Sequence, residues 1–143
     1  MQYDSFSPFI MDFPFYEAIV HESIAALPER IRKELHNVIV VIENLPPERP
    51  DVQGVLLGLY EGVPLTAWGR SFSSGIPDKI TLYRASIERV ARSPEEIPHL
   101  IRETLWHEIG HAFGLDHTQI RKMEERWRKN RLPRTERDGS GSP

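Results

Sequence analysis

The chain contains no cysteine among its 143 residues. Disulfide frameworks, thiolate zinc sites, iron–sulfur clusters and cysteine nucleophiles are thereby excluded, so any bound metal must draw its ligands from His, Asp or Glu. Long apolar runs are missing too. Nothing approaches the roughly 18 uninterrupted apolar residues that a membrane helix needs, and no membrane partner is expected. Residues Met1 to Tyr16 are rich in aromatics, but Asp4, Asp12 and two prolines interrupt them. They show neither the basic start nor the continuous apolar run of a signal peptide, and a cytoplasmic protein is expected. Neither sign of charge dominates. With 18 Lys plus Arg against 21 Asp plus Glu, the formal net charge is −3. That balance gives no global attraction to phosphate backbones, and no nucleic-acid partner is expected.

What is present fits one compact unit, since a single core commonly occupies about 100–200 residues. An N-terminal arm (1–12), one domain (13–131) and a polar, disordered tail (132–143) are expected, with the chain acting as a monomer. Helical spacing of apolar residues predicts a helix from Phe13 to Ala26 and a short one over Glu29–Leu35. The β-branched run Val38–Ile42 reads as a buried strand, Val55–Tyr60 as a second and Lys79–Arg84 as a third. Pro46, Pro47 and Pro50 mark Asn44–Asp51 as a loop. Glu61 to Asp78 reads as a long glycine-rich loop, with a short strand around Arg70–Ser73. A short helix over Ala85–Arg92 follows. Ser93-Pro94-Glu95-Glu96 fits a capping box that opens a helix over Pro98–Phe113. A last amphipathic helix spans Thr118–Arg131.

Three of the six histidines fall within eleven residues, in His107-Glu108-Ile109-Gly110-His111-Ala112-Phe113-Gly114-Leu115-Asp116-His117. This is HExxH extended to HExxHxxGxxH. At this composition the short form is expected roughly 0.03 times in such a chain and the long form on the order of 10⁻⁴ times. Residues four apart on a helix differ by about 40° in direction, so His107 and His111 project side by side and can grip one ion. Gly114 can take positive φ and reverse the chain, returning His117 as a third ligand. Three neutral nitrogens leave a fourth position for water, as catalytic zinc sites do. Zn2+ lowers the pKa of that water, and Glu108 can accept the proton as general base and return it as acid. Asp116 is a candidate partner behind the ligands. His21, His36 and His99 are isolated and read as surface residues.

The motif resembles that of the metzincin zinc peptidases. Taken together with Leu57-Gly58-Leu59-Tyr60-Glu61-Gly62-Val63-Pro64-Leu65-Thr66 and Pro77-Asp78-Lys79-Ile80-Thr81-Leu82-Tyr83-Arg84, it is similar to a small bacterial zincin-like metallopeptidase family, long carried as a domain of unknown function. The similarity runs from Phe13 to Trp127. It implies an α+β class and a minimal zincin-like fold: a few-stranded mixed sheet packed on a backing helix and an active-site helix. It also implies Zn2+ as cofactor and a peptide or protein substrate. In zincins an edge strand above the cleft pairs with extended substrate; here Thr81, Leu82, Tyr83 and Arg84 match that role, with the loop Gly69–Pro77 shaping the cleft. Tyr60 and Tyr83 are candidate oxyanion donors. Metzincins also carry a methionine in a tight turn below the metal. Only Met123 follows His117 here, inside a charged helix, and it reads as a packing residue.

Two other functions fit parts of this pattern. A metal-dependent endoribonuclease of the bacterial ribosomal-RNA maturation type has a similar three-His motif, but without Glu directly after the first His. A catalytically inactive metal-binding adaptor would use its surface instead. In the last helix and tail, basic residues outnumber acidic ones eight to four, which reads as a solvated face. Glu124 and Glu125 are alternative third ligands, though His117 fits better by spacing.

Overall fold

In a computed structural model, residues 11–48, 54–62 and 77–131 are described. Most of the arm, the tail 132–143, the strand expected at Arg70–Ser73 and nearly all of the Gly69–Pro77 loop lie outside them. Five helices and three strands follow in the order α1 Phe13–Ala25, α2 Glu29–Glu34, β1 Val38–Glu43, β2 Gly58–Glu61, β3 Asp78–Tyr83, α3 Arg84–Val90, α4 Glu96–Ala112 and α5 His117–Arg131. This is the small α+β architecture with a mixed sheet that the sequence implies. No described helix is long and apolar enough to cross a membrane.

Local chemistry explains the helix ends. Asp12 caps α1 by accepting from the Phe15 amide at 3.0 Å, and Pro14 sits in the first turn, where its missing N–H costs nothing. Helix α4 starts at Glu96, two residues before the expected Pro98, for the same reason. Its capping box does not form. Glu95 occupies the cap position without a side-chain bond, and the Glu96 carboxylate reaches back to the Arg92 amide at 2.7 Å.

The sheet order is β1-β3-β2, with β1 parallel to β3 and β2 antiparallel to it. β3 is therefore central. It pairs with β1 from Asp78 to Tyr83 and with β2 from Lys79 to Leu82. Both its faces are covered: Ile80 and Leu82 on one and Thr81 and Tyr83 on the other are all buried. The strand expected to be buried, β1, is an edge strand with Ile39 46% exposed. A run of β-branched residues reports that side chains pack, not whether the backbone has a neighbour on each side.

The core joins the two layers. Tyr16, Val20 and Leu27 around α1 meet Ile97, Ile101, Leu105, Trp106 and Ile109 of α4, and Ile80 and Leu82 of β3. Ile120, Met123 and Trp127 of α5 close the other side of α4, where Trp106 and Trp127 meet edge to face at 5.8 Å. At the far end, buried Glu88 accepts from Tyr16 Oη at 2.9 Å, from Arg84 Nη1 at 3.2 Å and from the Met11 amide at 3.0 Å. Arg84 also reaches Asn44 Oδ1 at 2.6 Å. This charge pair is buried but compensated, which is the condition for tolerating it.

Two glycines set how closely other elements approach α4. A Cβ at Gly58 would lie 2.7 Å from Thr104 Cγ2, and one at Gly110 would lie 2.6 Å from Ile120 Cγ1. β2 and α5 thus press against α4 on either side of the turn that carries the histidines.

Candidate metal centre

His107 and His111 come from the last turns of α4, and His117 is the first residue of α5. The turn between them is a Schellman motif. The Leu115 amide donates to Gly110 O at 3.1 Å and the Gly114 amide to His111 O at 2.9 Å, with Gly114 at φ 76. The chain reverses where the glycine allows it. Asp116 then caps α5 reciprocally: its Oδ1 accepts from the Gln119 amide at 2.8 Å, while Gln119 Oε1 accepts from the Asp116 amide at 2.9 Å. Asp116 is therefore a helix cap that fixes His117, not a partner of an imidazole. The Asp-x-x-Gln spacing was readable in the sequence.

The three rings converge. Centroid separations are 4.8 Å for His107–His111, 5.9 Å for His107–His117 and 5.7 Å for His111–His117. One nitrogen from each lies within 4.8 Å of the other two. Nitrogens sharing a tetrahedral zinc at about 2.0–2.1 Å would be about 3.3 Å apart, so modest side-chain rotation completes the site. His107 and His111 are half-buried and His117 is exposed, leaving the cluster open on one side. No Asp or Glu joins this ligand set among the described residues. The donor set therefore fits zinc.

Each titratable group here is shifted for a visible reason. Burial favours the neutral form of His111, and the neighbouring His107 and His117 push in the same direction. The Glu124 carboxylate, 3.5 Å from His107 Nδ1, raises His107 against the effect of burial. Glu108 is 9% exposed, and burial raises its pKa; the nearby His107 and a hydrogen bond from the Tyr60 backbone amide pull the other way. A carboxyl held partly desolvated beside the ligands is a stronger base than one in water.

Two expectations about the cleft are corrected. Thr81, Leu82 and Tyr83 cannot pair with substrate, because β1 and β2 occupy both edges of their strand and all three are buried. Arg84 begins α3 with its guanidinium against Glu88 and Asn44. The edge beside the histidines belongs to β2, whose Tyr60 amide meets Glu108. Nor is Tyr60 a free oxyanion donor, since its hydroxyl donates to Asp78 Oδ2 at 2.8 Å. Tyr83 is buried. Met123 does pack: it is buried on α5, its Cε 3.2 Å from where a Gly110 Cβ would stand. His21, His36 and His99 are exposed and outside the cluster.

Sequence reasoning missed Glu124 as the neighbour of His107. It lies seven residues after His117, nearly two full helical turns, on the stripe that also carries Ile120 and Trp127. That periodicity was the available signal.

Two histidines and a buried glutamate on the helix that backs a small mixed sheet, joined by a third histidine from the next helix, form a candidate metal site of the zincin type. The chain belongs to the zincin-like metallopeptidase family, whose model matches residues 35–127. It is also similar to a solved structure, that of a conserved hypothetical protein from Thermo thermophilus. The two share 26% identity with a TM-score of 0.52, over 72% of this chain and 94% of that one. No curated protein matches the chain.

Proposed function

We propose that this protein is a zinc-dependent metallopeptidase that hydrolyses peptide bonds, with His107, His111 and His117 as ligands and Glu108 as general base and then acid. The observation that carries this reading is the position of Glu108, a carboxylate 9% exposed beside a three-imidazole cluster and within reach of the outer edge of β2. Zinc, when bound with one position open, supplies a water of lowered pKa and polarises the scissile carbonyl. Glu108 accepts the proton of the attacking water and delivers it to the nitrogen of the leaving amine, so that an acid and an amine result. Burial strengthens it as a base for the first of these steps.

The substrate is an extended peptide laid along β2, Gly58–Glu61, which takes the role the sequence suggested for β3. An edge strand binds extended peptide through its backbone groups; β2 pairs with β3 along one edge among the described residues, and its Tyr60 amide meets Glu108. Family membership supports the peptidase over the ribonuclease and adaptor readings.

The test joins metal analysis to cleavage. Protein purified without chelator should carry stoichiometric zinc that His111→Ala loses, and should cleave members of a mixed peptide library. Glu108→Gln should keep the zinc and lose cleavage by about 10²-fold or more. Cleavage that persists in Glu108→Gln would overturn the mechanism.

A further inference from the structure

Glu124 stands out among the carboxylates around the histidines. Asp116 is taken up by Gln119, Glu103 by Arg128 and Glu108 receives the Tyr60 amide. Glu124 instead meets a ligand ring, its Oε2 3.5 Å from His107 Nδ1. Its side chain is 12% exposed, whereas the adjacent Glu125 is exposed.

The surrounding packing fixes this placement. α5 approaches α4 closely because Gly110 has no Cβ to strike Ile120. One turn further along both helices, Arg128 grips Glu103 with two bonds, Nη2 to Oε1 at 2.6 Å and Nε to Oε2 at 3.1 Å. Glu103 and His107 are one turn apart on α4, and Glu124 and Arg128 one turn apart on α5. The fork-to-fork pair therefore locks the register that sets Glu124 against His107.

We propose that Glu124 is a positioning residue for the metal site, accepting the Nδ1–H of His107 and leaving Nε2 as its ligand atom. A ligating histidine ordinarily gives its second N–H to such an acceptor, which fixes the tautomer and ring orientation and makes the ligand nitrogen more basic. The inference rests on the reading that the three histidines hold zinc.

The test measures zinc affinity directly, by competition with a chromogenic chelator, on the full chain. Glu124→Ala should bind about 10–100-fold more weakly than wild type. Glu124→Gln, whose amide oxygen can still accept the N–H, should recover most of the loss, and Glu125→Ala should bind as wild type does. With Co2+ in place of zinc, the visible bands of Glu124→Gln should match wild type, since an outer acceptor does not change the ligand count. Tryptophan emission from the Trp106–Trp127 pair checks that α5 has kept its place. Equal affinity in wild type and a folded Glu124→Ala would overturn the proposal. Loss of the Co2+ bands in Glu124→Gln would overturn it too, by making Glu124 a direct ligand. Failure of wild type itself to bind zinc would remove the reading beneath it, a result distinct from either of these.

Discussion

Gly110→Ala tests whether the metal centre is assembled by close packing of α5 on α4. The new Cβ would stand 2.6 Å from Ile120 Cγ1, 3.1 Å from Ile120 Cδ1 and 3.2 Å from Met123 Cε. Ordinary carbon–carbon contact is about 3.5–4.0 Å, so a displacement of about 1 Å is needed. Ile120 is fully buried and β-branched, which leaves it little freedom to rotate aside. Overpacking of this kind costs about 1–3 kcal/mol, and the better helix propensity of alanine offsets about 1 kcal/mol. The net loss of apo stability should be about 1 kcal/mol, seen as a fall in Tm of about 3–5 °C. The larger effect should fall on zinc. α5 carries both His117 and Glu124, while a zinc site tolerates distance errors of only about 0.2 Å. Affinity should drop about tenfold or more, measured by chelator competition alongside calorimetry of the apo protein. A variant that is more stable than wild type, with unchanged zinc affinity, would show helix propensity acting alone. It would refute the claim that this contact sets the site.

Three further outcomes follow from the same geometry. Burial raises the pKa of Glu108 in the folded protein, so its ionised form opposes folding above the ordinary carboxylate range and not below it. Apo Glu108→Gln should therefore be more stable than wild type at neutral pH, with the gap closing as pH falls towards about 4; urea unfolding across that range would show a constant gap if the reasoning were wrong. Asp116→Ala removes the cap of α5 and should cost about 1 kcal/mol in thermal unfolding, together with zinc affinity, because His117 is the next residue; a stability loss with intact affinity would separate the cap from the site. Zinc at about 100 times its Kd should add about 2.7 kcal/mol to the stability of wild type and nothing to that of His111→Ala, so an equal rise in both would point to binding elsewhere.

The convergence of the three histidines was legible because a helix and one glycine turn encode it locally. His107 and His111 are fixed by helical periodicity, and Gly114 takes the left-handed φ of 76 that the reversal requires. Long-range facts were not legible. β2 and β3 both read as strands, but which of them presents an edge depends on β1 pairing across 40 residues with β3, Val38 opposite Asp78. Thr81 and Tyr83 alternate with Ile80 and Leu82, and nothing in that alternation shows that the fold buries both faces. Gly58 carries no local sign that Thr104 lies against it.

The same facts explain how so small a protein can hold three imidazoles in place. α4 is buried against α1, β2, β3 and α5, and each neighbour settles one feature of the site. α1 locks the helix from behind, where Trp106 Nε1 donates to Ser23 O at 3.4 Å. β2, let in by Gly58, brings the Tyr60 amide to Glu108. α5, let in by Gly110, brings His117 and Glu124. Preorganisation of this kind comes from rigid elements rather than from a long loop. It also places weak points at residues that offer no ligand atom. A methyl group added at either glycine acts on a different half of the proposed chemistry: at Gly58 on Glu108 and β2, at Gly110 on His117 and Glu124.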